Sequence, residues 1–254
     1  EGGMKIRRCA WLAGVLLAAC APSGETGYQG WVEAEQVFVS PHEPGRIETL
    51  SVREGDAVKV GAPLFTLDEE LEQADLNQNQ ASLTNARQSF ERAQLLLKTA
   101  AGTQKTFEDA EALLRTAEAR LNSSQTRLAR RKVVSPASGI VQQIYFREGE
   151  IVPAGRPVLA LLPPENVKLR FFVPEAMVPK IALGDTVAVG CDGCPADLIA
   201  RVSFMGQTAE FTPPVIYSLE ERAKLVFLVE ARPEKPAVLR VGQPVTISLP
   251  TEKR

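Results

Sequence analysis

The strongest constraint on how this chain folds is a heptad pattern within residues 69–131. Large apolar residues recur every seven positions in two successive series, and mostly small residues follow three positions after them. This 3-4 spacing is typical of a left-handed coiled coil. A break at Ala101 and Gly102 separates the series, so the pattern predicts two helices that fold back on each other as an antiparallel hairpin. The first series is Leu76, Leu83, Phe90 and Leu97, and the second is Phe107, Leu114, Leu121 and Leu128.

The remaining positions of both predicted helices are largely polar, so the hairpin should project from the body of the protein. Asp68 is predicted to cap the start of the first helix, and Thr106 with Asp109 the start of the second. The second helix ends in a basic run, whose charge suits a helix C-terminus. That run consists of Arg127, Arg130, Arg131 and Lys132.

The segments on either side of the predicted hairpin repeat one another. Residues 39–67 and 134–162 both contain Val-Ser-Pro and Arg-Glu-Gly, and their glycines recur at matching spacing. Apolar runs cut by glycine turns predict short β-strands in each copy. Because neither copy of about 30 residues would bury a core alone, the two are predicted to pack face to face as one small sandwich. The matched positions are Gly45, Gly55, Gly61 and Pro63 in the first copy, and Gly139, Gly149, Gly155 and Pro157 in the second.

A further β-rich region follows the second copy. Pro163 and Pro164 mark its boundary, and several short strands with turn signals lie between residues 166 and 251. A short helix is predicted at 175–183. Such a series of strands predicts a small β-barrel, which the strand at 31–38 would close.

The N-terminal residues 1–19 are predicted to be a secretory signal, with basic residues before an apolar run of about 11 residues. A run of that length is too short to span a bilayer, which needs about 20 residues. The signal ends in Leu-Ala-Ala before Cys20, which resembles a bacterial lipobox. The resemblance implies that Cys20 carries a lipid that anchors the protein to a membrane. Residues 20–30 would then form a tether.

Two late cysteines, Cys191 and Cys194, flank an Asp-Gly pair. Asp-Gly predicts a two-residue hairpin turn that places the cysteines opposite each other, so a disulfide between them is expected in an oxidising periplasm. A zinc site would need four ligands. With Cys20 lipidated and His42 the single histidine, the sequence offers no obvious set, and His42 is predicted to be a turn residue.

Composition and motifs argue against several classes of function. The formal net charge is −2, so no basic excess indicates a nucleic-acid partner. One histidine gives no convincing catalytic triad, and no phosphate-binding glycine loop of the P-loop kind is present. The acidic residues are spread over helix faces, as on a solvated surface. We therefore expect neither enzyme activity nor a cofactor.

The two repeat copies resemble the pseudo-symmetric halves of the lipoyl/biotinyl carrier domain. This resemblance implies a carrier-like β-sandwich that is split, with the hairpin inserted between its halves. Carrier chemistry would require a modifiable lysine on the turn between the halves, in a tripeptide such as Met-Lys-Met or Asp-Lys-Ala, and neither tripeptide occurs. The hairpin occupies the place of that turn, which argues against a carrier-domain enzyme subunit.

The predicted hairpin tip, residues 91–109, resembles that of the periplasmic adaptor (membrane fusion protein, HlyD-like) family. The family's channel-docking motif is Arg-x3-Leu-x6-Ser. Arg92 and Leu96 match it, and Thr103 stands in the serine position. An arginine beside a small apolar tip suits contact with another helical end, because its guanidinium group can donate hydrogen bonds to carbonyls or carboxylates there.

This resemblance implies a periplasmic adaptor, lipid-anchored and expected at the inner membrane, that links an inner-membrane transporter to a TolC-type outer-membrane channel. It also implies a homo-hexamer. Residues 209–233 resemble the barrel of adaptors that serve ATP-binding-cassette (ABC) exporters, which favours a transporter of that class. Two alternatives stay open: an adaptor for a proton-driven pump of the resistance-nodulation-division (RND) class, and a coiled-coil envelope spacer without a transport role.

The expected fold class is α+β: a split lipoyl/biotinyl-like β-sandwich with an inserted antiparallel coiled-coil α-hairpin, plus a small β-barrel. The predicted order is signal 1–19, tether 20–30, barrel-associated strand 31–38, first lipoyl-like half 39–68, hairpin 69–131, second half 132–163 and barrel domain 164–254.

Overall fold

A computed structural model describes residues 27–211 and 225–249 of the chain. The predicted signal, the tether up to residue 26 and Cys20 lie outside these residues. The chain divides into two compact units. One unit is Ala34–Asn166, and the other combines the chain before Ala34 with the chain from Val167 onward.

The unit Ala34–Asn166 contains both repeat copies and the hairpin. Its strands are β2 Val37–Val39, β3 Gly45–Leu50, β4 Ala57–Val58, β5 Pro63–Leu67, β6 Lys132–Val134, β7 Gly139–Ile144, β8 Ile151–Val152 and β9 Leu159–Leu162, and its helices are α1 Glu70–Lys98 and α2 Gln104–Ala129. The strands of the other unit are β1 Tyr28–Ala34, β10 Val167–Pro174, β11 Thr186–Gly190, β12 Ile199–Phe211, β13 Leu225–Pro233 and β14 Pro244–Ser248.

The two repeat copies form a sandwich of two four-stranded sheets, in the orders β2-β9-β7-β4 and β6-β5-β3-β8. Equivalent strands take equivalent places in the two sheets, which confirms the predicted sandwich of pseudo-symmetric halves. Each copy also contributes its two edge strands to the sheet whose centre the other copy forms. Neither copy can therefore complete a sheet by itself. The core between the sheets contains Ile47, Leu64, Phe65, Leu67, Val141, Val152, Leu159 and Leu161, among others.

The repeated Arg-Glu-Gly motif joins the two halves of the sandwich. The carboxylate of Glu54 accepts a hydrogen bond from the backbone N–H of Ile144 at 2.9 Å, and that of Glu148 accepts one from Leu50 N–H at 2.8 Å. The two bonds are reciprocal, since each glutamate lies in the loop after one of the equivalent strands β3 and β7 and bonds to the last residue of the other strand. The motif therefore has a structural role in this sandwich.

The two helices pack along the predicted seam. Leu83 of α1 is buried, and so are Ala110, Ala117 and Ser124 of α2, while the rings of Phe90 and Phe107 lie 5.3 Å apart across the hairpin. The antiparallel hairpin predicted from the heptads is thus confirmed. At the usual helical rise, the 29 residues of α1 are about 43 Å long.

Both predicted helix caps differ from the structure. Residue 69 is the N-cap of α1, and Asp68 instead accepts a hydrogen bond from Glu70 N–H at 3.2 Å. Helix α2 begins one turn earlier than predicted, and its capping box is formed by Thr103 and Thr106. The heptads gave no start for α2 because its first turn, before Phe107, lies at the tip and contributes no large apolar residue to the seam.

Helix α1 ends in a Schellman motif. The backbone N–H of Ala101 donates to the carbonyl of Leu96 at 2.9 Å, and that of Ala100 donates to Leu97 at 3.1 Å. Ala100 has a φ of +59°, the one positive value among the described non-glycine residues. This left-handed position is the one that usually carries glycine.

Replacing Ala100 with glycine is expected to stabilise the protein by about 0.5–1 kcal/mol, because glycine lacks the Cβ that is crowded in the left-handed conformation. Urea unfolding followed by the circular dichroism of the helices measures this change. The neighbouring Ala101→Gly variant is the control, since Ala101 has no positive φ and gains nothing from glycine. Equal effects of the two substitutions would contradict the assignment.

The second unit is a closed six-stranded barrel in the order β1-β10-β13-β12-β11-β14. Strand β10 alternates between buried and half-buried residues along its full length, and Leu169 and Phe171 are completely buried. After β10, a 3₁₀ helix covers Glu175–Lys180, shorter than the helix predicted at 175–183. Pro179 lies inside this segment and has no N–H to donate, so a longer helix would lack one of its backbone hydrogen bonds.

The predicted barrel strand 31–38 is divided between the two units. Strand β1 runs in the barrel, where it pairs with β14, whereas β2 pairs with β9 in the sandwich. The buried positions change from Gly30 and Val32 to Val39, so their alternation switches from even to odd residue numbers. This change of phase marks the passage from one sheet to another.

Candidate docking site at the hairpin tip

The three residues that match the docking motif lie together at the turn of the hairpin. Arg92 and Leu96 belong to the last two turns of α1, and Thr103 is the N-cap of α2. Leu96 is 48 % exposed and its neighbour Leu95 is 63 % exposed, while Leu97 is half-buried in the seam. The tip therefore presents two adjacent leucines to solvent, of which sequence reasoning selected only Leu96.

The tip also carries free positive charge. Arg92 is exposed and donates to Ser89 Oγ at 3.2 Å, and within the described residues neither Arg92 nor Lys98 forms an ion pair. The next cation along the chain, Lys105, pairs with Asp109 at 2.7 Å one turn into α2. Two exposed leucines with two unpaired cations suit a partner that offers an apolar surface and carboxylates or free carbonyls.

Thr103 has a structural contact that the motif does not explain. Its hydroxyl accepts a hydrogen bond from the backbone N–H of Thr106 at 3.2 Å, and the side chain of Thr106 accepts one from Thr103 N–H at 3.3 Å. The pair caps α2. The sequence contains a signal for this cap, because Thr103 is followed three residues later by a side chain that can accept a hydrogen bond. The predicted cap instead pairs Thr106 with Asp109.

At the base of the hairpin, Arg131 connects both helices to the sandwich. The residue is 8 % exposed. Its guanidinium group forms an ion pair with Glu72 of α1, donates to the backbone carbonyl of Pro44 at 2.9 Å, and lies 3.8 Å from the carboxylate of Glu43. The sequence indicated only a basic helix end here, because nothing local predicts which acidic residues fold against it.

Further ion pairs surround this contact. Arg127 of α2 pairs with Asp75 of α1 at 2.5 Å, and Lys132 pairs with Glu69 at 3.4 Å. The first pair joins the end of α2 to the beginning of α1, and the second joins the first residue of β6 to the N-cap of α1. The base of the hairpin is therefore held by charged contacts, whereas its shaft is held by the apolar seam.

Arg46 of β3 forms another base contact, donating to the carboxylate of Asp68 at 2.6 Å. This hydrogen bond, together with the one from the backbone of Glu70, holds the pKa of Asp68 below its ordinary value. A carboxyl group with a lowered folded pKa contributes stability above its unfolded pKa of about 4, and the contribution disappears as the pH falls through the folded value.

We expect Asp68→Asn to be less stable than the wild-type protein at neutral pH and to approach wild-type stability as the pH falls below about 4. Urea midpoints of both proteins across this pH range measure the effect. A difference that stays constant through the range would show that the carboxylate charge is not responsible.

Cys191 and Cys194 follow the end of β11 with their Cα atoms 5.2 Å apart, a separation that is usual for a disulfide. The backbone N–H of Cys194 donates to the carbonyl of Cys191 at 3.1 Å, and Gly193 has a φ of +79°. The turn differs from the predicted two-residue hairpin, because it lies within a longer connection that reaches β12 only at Ile199. Pro195 and Asp197, which follow Cys194, do not favour a continued strand.

His42 is exposed in the loop after β2. Among the described residues, no three histidine, cysteine or acidic side chains gather as a metal site would require. Neither helix of the described hairpin combines the length and the apolar content needed to cross a membrane.

Comparison with known proteins gives a family match. The model of the barrel-sandwich hybrid domain of RND membrane fusion proteins matches residues 35–162. A UPF0194 membrane protein of Acidithiobacillus ferridurans is 26 % identical over 298 aligned positions, which cover 91 % of this chain and 88 % of the relative. The uncharacterized protein YdhJ of Escherichia coli is 25 % identical over 237 positions, covering 88 % and 80 %.

Solved structures share the fold. The membrane fusion protein Spr0693 of Streptococcus pneumoniae superposes with a TM-score of 0.70 at 16 % identity, covering 89 % of this chain and 99 % of that one. A MacA-MexA chimera that contains the Pseudomonas aeruginosa MexA α-hairpin also gives 0.70, at 21 % identity over 88 % and 80 %. Since the family model spans half of the chain and the fold agrees, this chain belongs to the periplasmic adaptor, or membrane fusion protein, family.

Proposed function

We propose that this adaptor links an inner-membrane ABC-type exporter to a TolC-type outer-membrane channel, and that the hairpin tip docks on the channel. The observation that carries the proposal is the tip itself. Leu95 and Leu96 are exposed beside the unpaired Arg92, at the end of a helix pair whose other apolar residues mostly pack in the seam. Leucines exposed at the tip do not stabilise the isolated protein, but burying them against a partner lowers the free energy of the complex.

The proposed role is mechanical. The chain would seal a conduit between two membranes and would perform no chemistry. Cys20 would carry the lipid that anchors the protein at the inner membrane, and six copies would surround the conduit, as the family resemblance implies. Labelling with a fatty-acid analogue, compared between the wild-type protein and Cys20→Ser, tests the anchor.

The docking test uses a photocrosslinking amino acid at position 95 in cells that contain the TolC-type channel of the source organism. We expect a crosslink to the channel, and we expect Arg92→Asp or Leu96→Asp to reduce it at least about tenfold, as for central residues of an interface. The matched controls are Arg87→Asp and Leu113→Asp, which make the same changes at exposed positions of the hairpin away from the tip. These controls should crosslink like the wild-type protein.

Equal losses in the tip variants and the controls, or no crosslink from a well-expressed wild-type protein, would contradict docking and favour the envelope spacer.

The transporter class needs a separate measurement. An RND-type pump is the second candidate, because the matching family model is that of RND adaptors. Copurification from crosslinked membranes would yield either an ATPase with its permease or a large proton-driven pump.

A further inference from the structure

The short loop between the helices, residues 99–103, has a conformation fixed from both sides. We propose that Gly102 and Thr103 are positioning residues that lock this loop so that Leu96 is presented to the partner, and that the Thr103 hydroxyl serves helix α2 and does not contact the channel. This inference rests on the docking function proposed above. It separates the motif into two contact residues, Arg92 and Leu96, and one residue that acts through the loop.

The hydrogen-bond directions at the cap follow from counting protons. The hydroxyl of Thr106 has one proton and donates it to the carbonyl of Thr103 at 2.8 Å. With that proton engaged, the contact between the two hydroxyls, at 3.1 Å, is a hydrogen bond when Thr103 donates. In this arrangement the Thr103 hydroxyl accepts from Thr106 N–H and donates to the Thr106 hydroxyl, so its one proton is used within the cap. A channel acceptor would have to displace the contact between the two hydroxyls, whereas the two bonds from the backbone N–H groups would remain.

The other end of the loop folds over Leu96. The carbonyl of Leu96 accepts hydrogen bonds from Ala101 N–H at 2.9 Å and Gly102 N–H at 3.0 Å, and the hydroxyl of Thr99 lies 3.1 Å from it. A Cβ added at Gly102 would lie 3.0 Å from Leu96 Cβ and 3.2 Å from its carbonyl carbon. Glycine at position 102 therefore lets the loop lie directly on the residue that is to be presented.

A loop that is ordered before binding avoids the entropy cost of ordering it at the interface. The left-handed Ala100 fits this view, since a non-glycine residue there is held against its own preference by the surrounding bonds. If Gly102 and Thr103 lock the loop 99–103 in this way, the order of the loop and the docking of the tip should change together. We call this pair of constraints the lock.

The test combines amide hydrogen exchange of the purified protein with the position-95 crosslink in cells. Thr103→Val keeps the shape and removes the hydroxyl, and Thr106→Val removes the reciprocal bond outside the motif. Both are expected to raise the exchange rates of the Ala101 and Gly102 amides about fivefold, the usual effect of losing a helix cap, and to lower the crosslink yield. Gly102→Ala should do the same by displacing Leu96.

Thr103→Ser and Thr103→Asn supply the rescue, because both side chains cap helices well. They should keep exchange and crosslinking within about twofold of the wild-type protein. Loss of the crosslink in Thr103→Asn with wild-type exchange rates would overturn the proposal, since residue 103 would then touch the channel. Thr106→Val without effect on either readout would overturn it too.

The failure of docking itself has a different signature. A wild-type protein that crosslinks to no channel would overturn the docking function and, with it, the purpose assigned to the lock. The exchange rates would still decide whether the lock exists. Unchanged rates in Thr103→Val would refute the lock whether or not docking occurs.

Discussion

Replacing Arg131 with methionine is expected to lower the free energy of unfolding by about 3 kcal/mol, the usual loss when one partner of a buried ion pair is removed. The side chain of Arg131 is 10 % exposed and that of Glu72 is 15 % exposed. Without the guanidinium group, the Glu72 carboxylate would remain mostly buried and uncompensated. The bond to the Pro44 carbonyl would also be lost.

Urea unfolding of the purified protein measures this loss, with Arg130→Met as the matched control, because Arg130 is the exposed neighbour. The double variant Arg131→Met/Glu72→Met should recover much of the stability, since both charges leave together. If Arg131→Met were as stable as Arg130→Met, the contact at the base of the hairpin would not contribute to folding.

The second large effect is expected for Gly139→Ala at the start of β7. A Cβ there would lie 2.6 Å from the carbonyl oxygen of Leu162 and 3.0 Å from the backbone nitrogen of Pro163. These are backbone atoms at the end of β9, which is paired with β7, so the two strands would have to separate. We expect a loss of about 2–3 kcal/mol, at the upper end of overpacking effects.

Two other glycines provide controls for this prediction. At Gly190, in β11, an added Cβ meets no atom closer than 3.7 Å, so Gly190→Ala should change the free energy of unfolding by only a few tenths of a kcal/mol. At Gly45, the pseudo-symmetric position, the nearest atom belongs to the Arg131 side chain at 2.6 Å. Gly45→Ala should therefore destabilise the wild-type protein more than it destabilises Arg131→Met. Equal effects at Gly139 and Gly190 would contradict the close approach of β7 and β9.

Local patterns in the sequence were enough to predict the architecture. The heptads specified the hairpin because a side chain every 3.5 residues lies on one helical face. The repeated glycine spacing specified two equivalent halves, because turns with positive φ recur at Gly55 and Gly149 and need the same residue type. At the candidate site, the motif placed Arg92, Leu96 and Thr103 at the tip, where the structure has them. Their role in docking stays a prediction.

The sequence was less informative wherever the outcome depended on residues that are distant along the chain. Three features join segments that are far apart in the sequence. They are the exchange of edge strands between the two halves, the reciprocal bonds of Glu54 and Glu148, and the contact of Arg131 with Glu72 and Pro44. A sequence pattern indicates that an apolar residue will be buried or that a charged residue will be paired, but the pattern does not identify the partner.

The sequence by itself therefore determined the helical hairpin, the two halves of the sandwich and most strands of the barrel, because these follow from periodicity and turn residues over short distances. The tertiary structure alone decided which sheet each short strand joins and which charges hold the base of the hairpin. The physical reason is that pairing and burial are settled by the competition among all distant segments, whereas helix, strand and turn preferences act on neighbours in the chain.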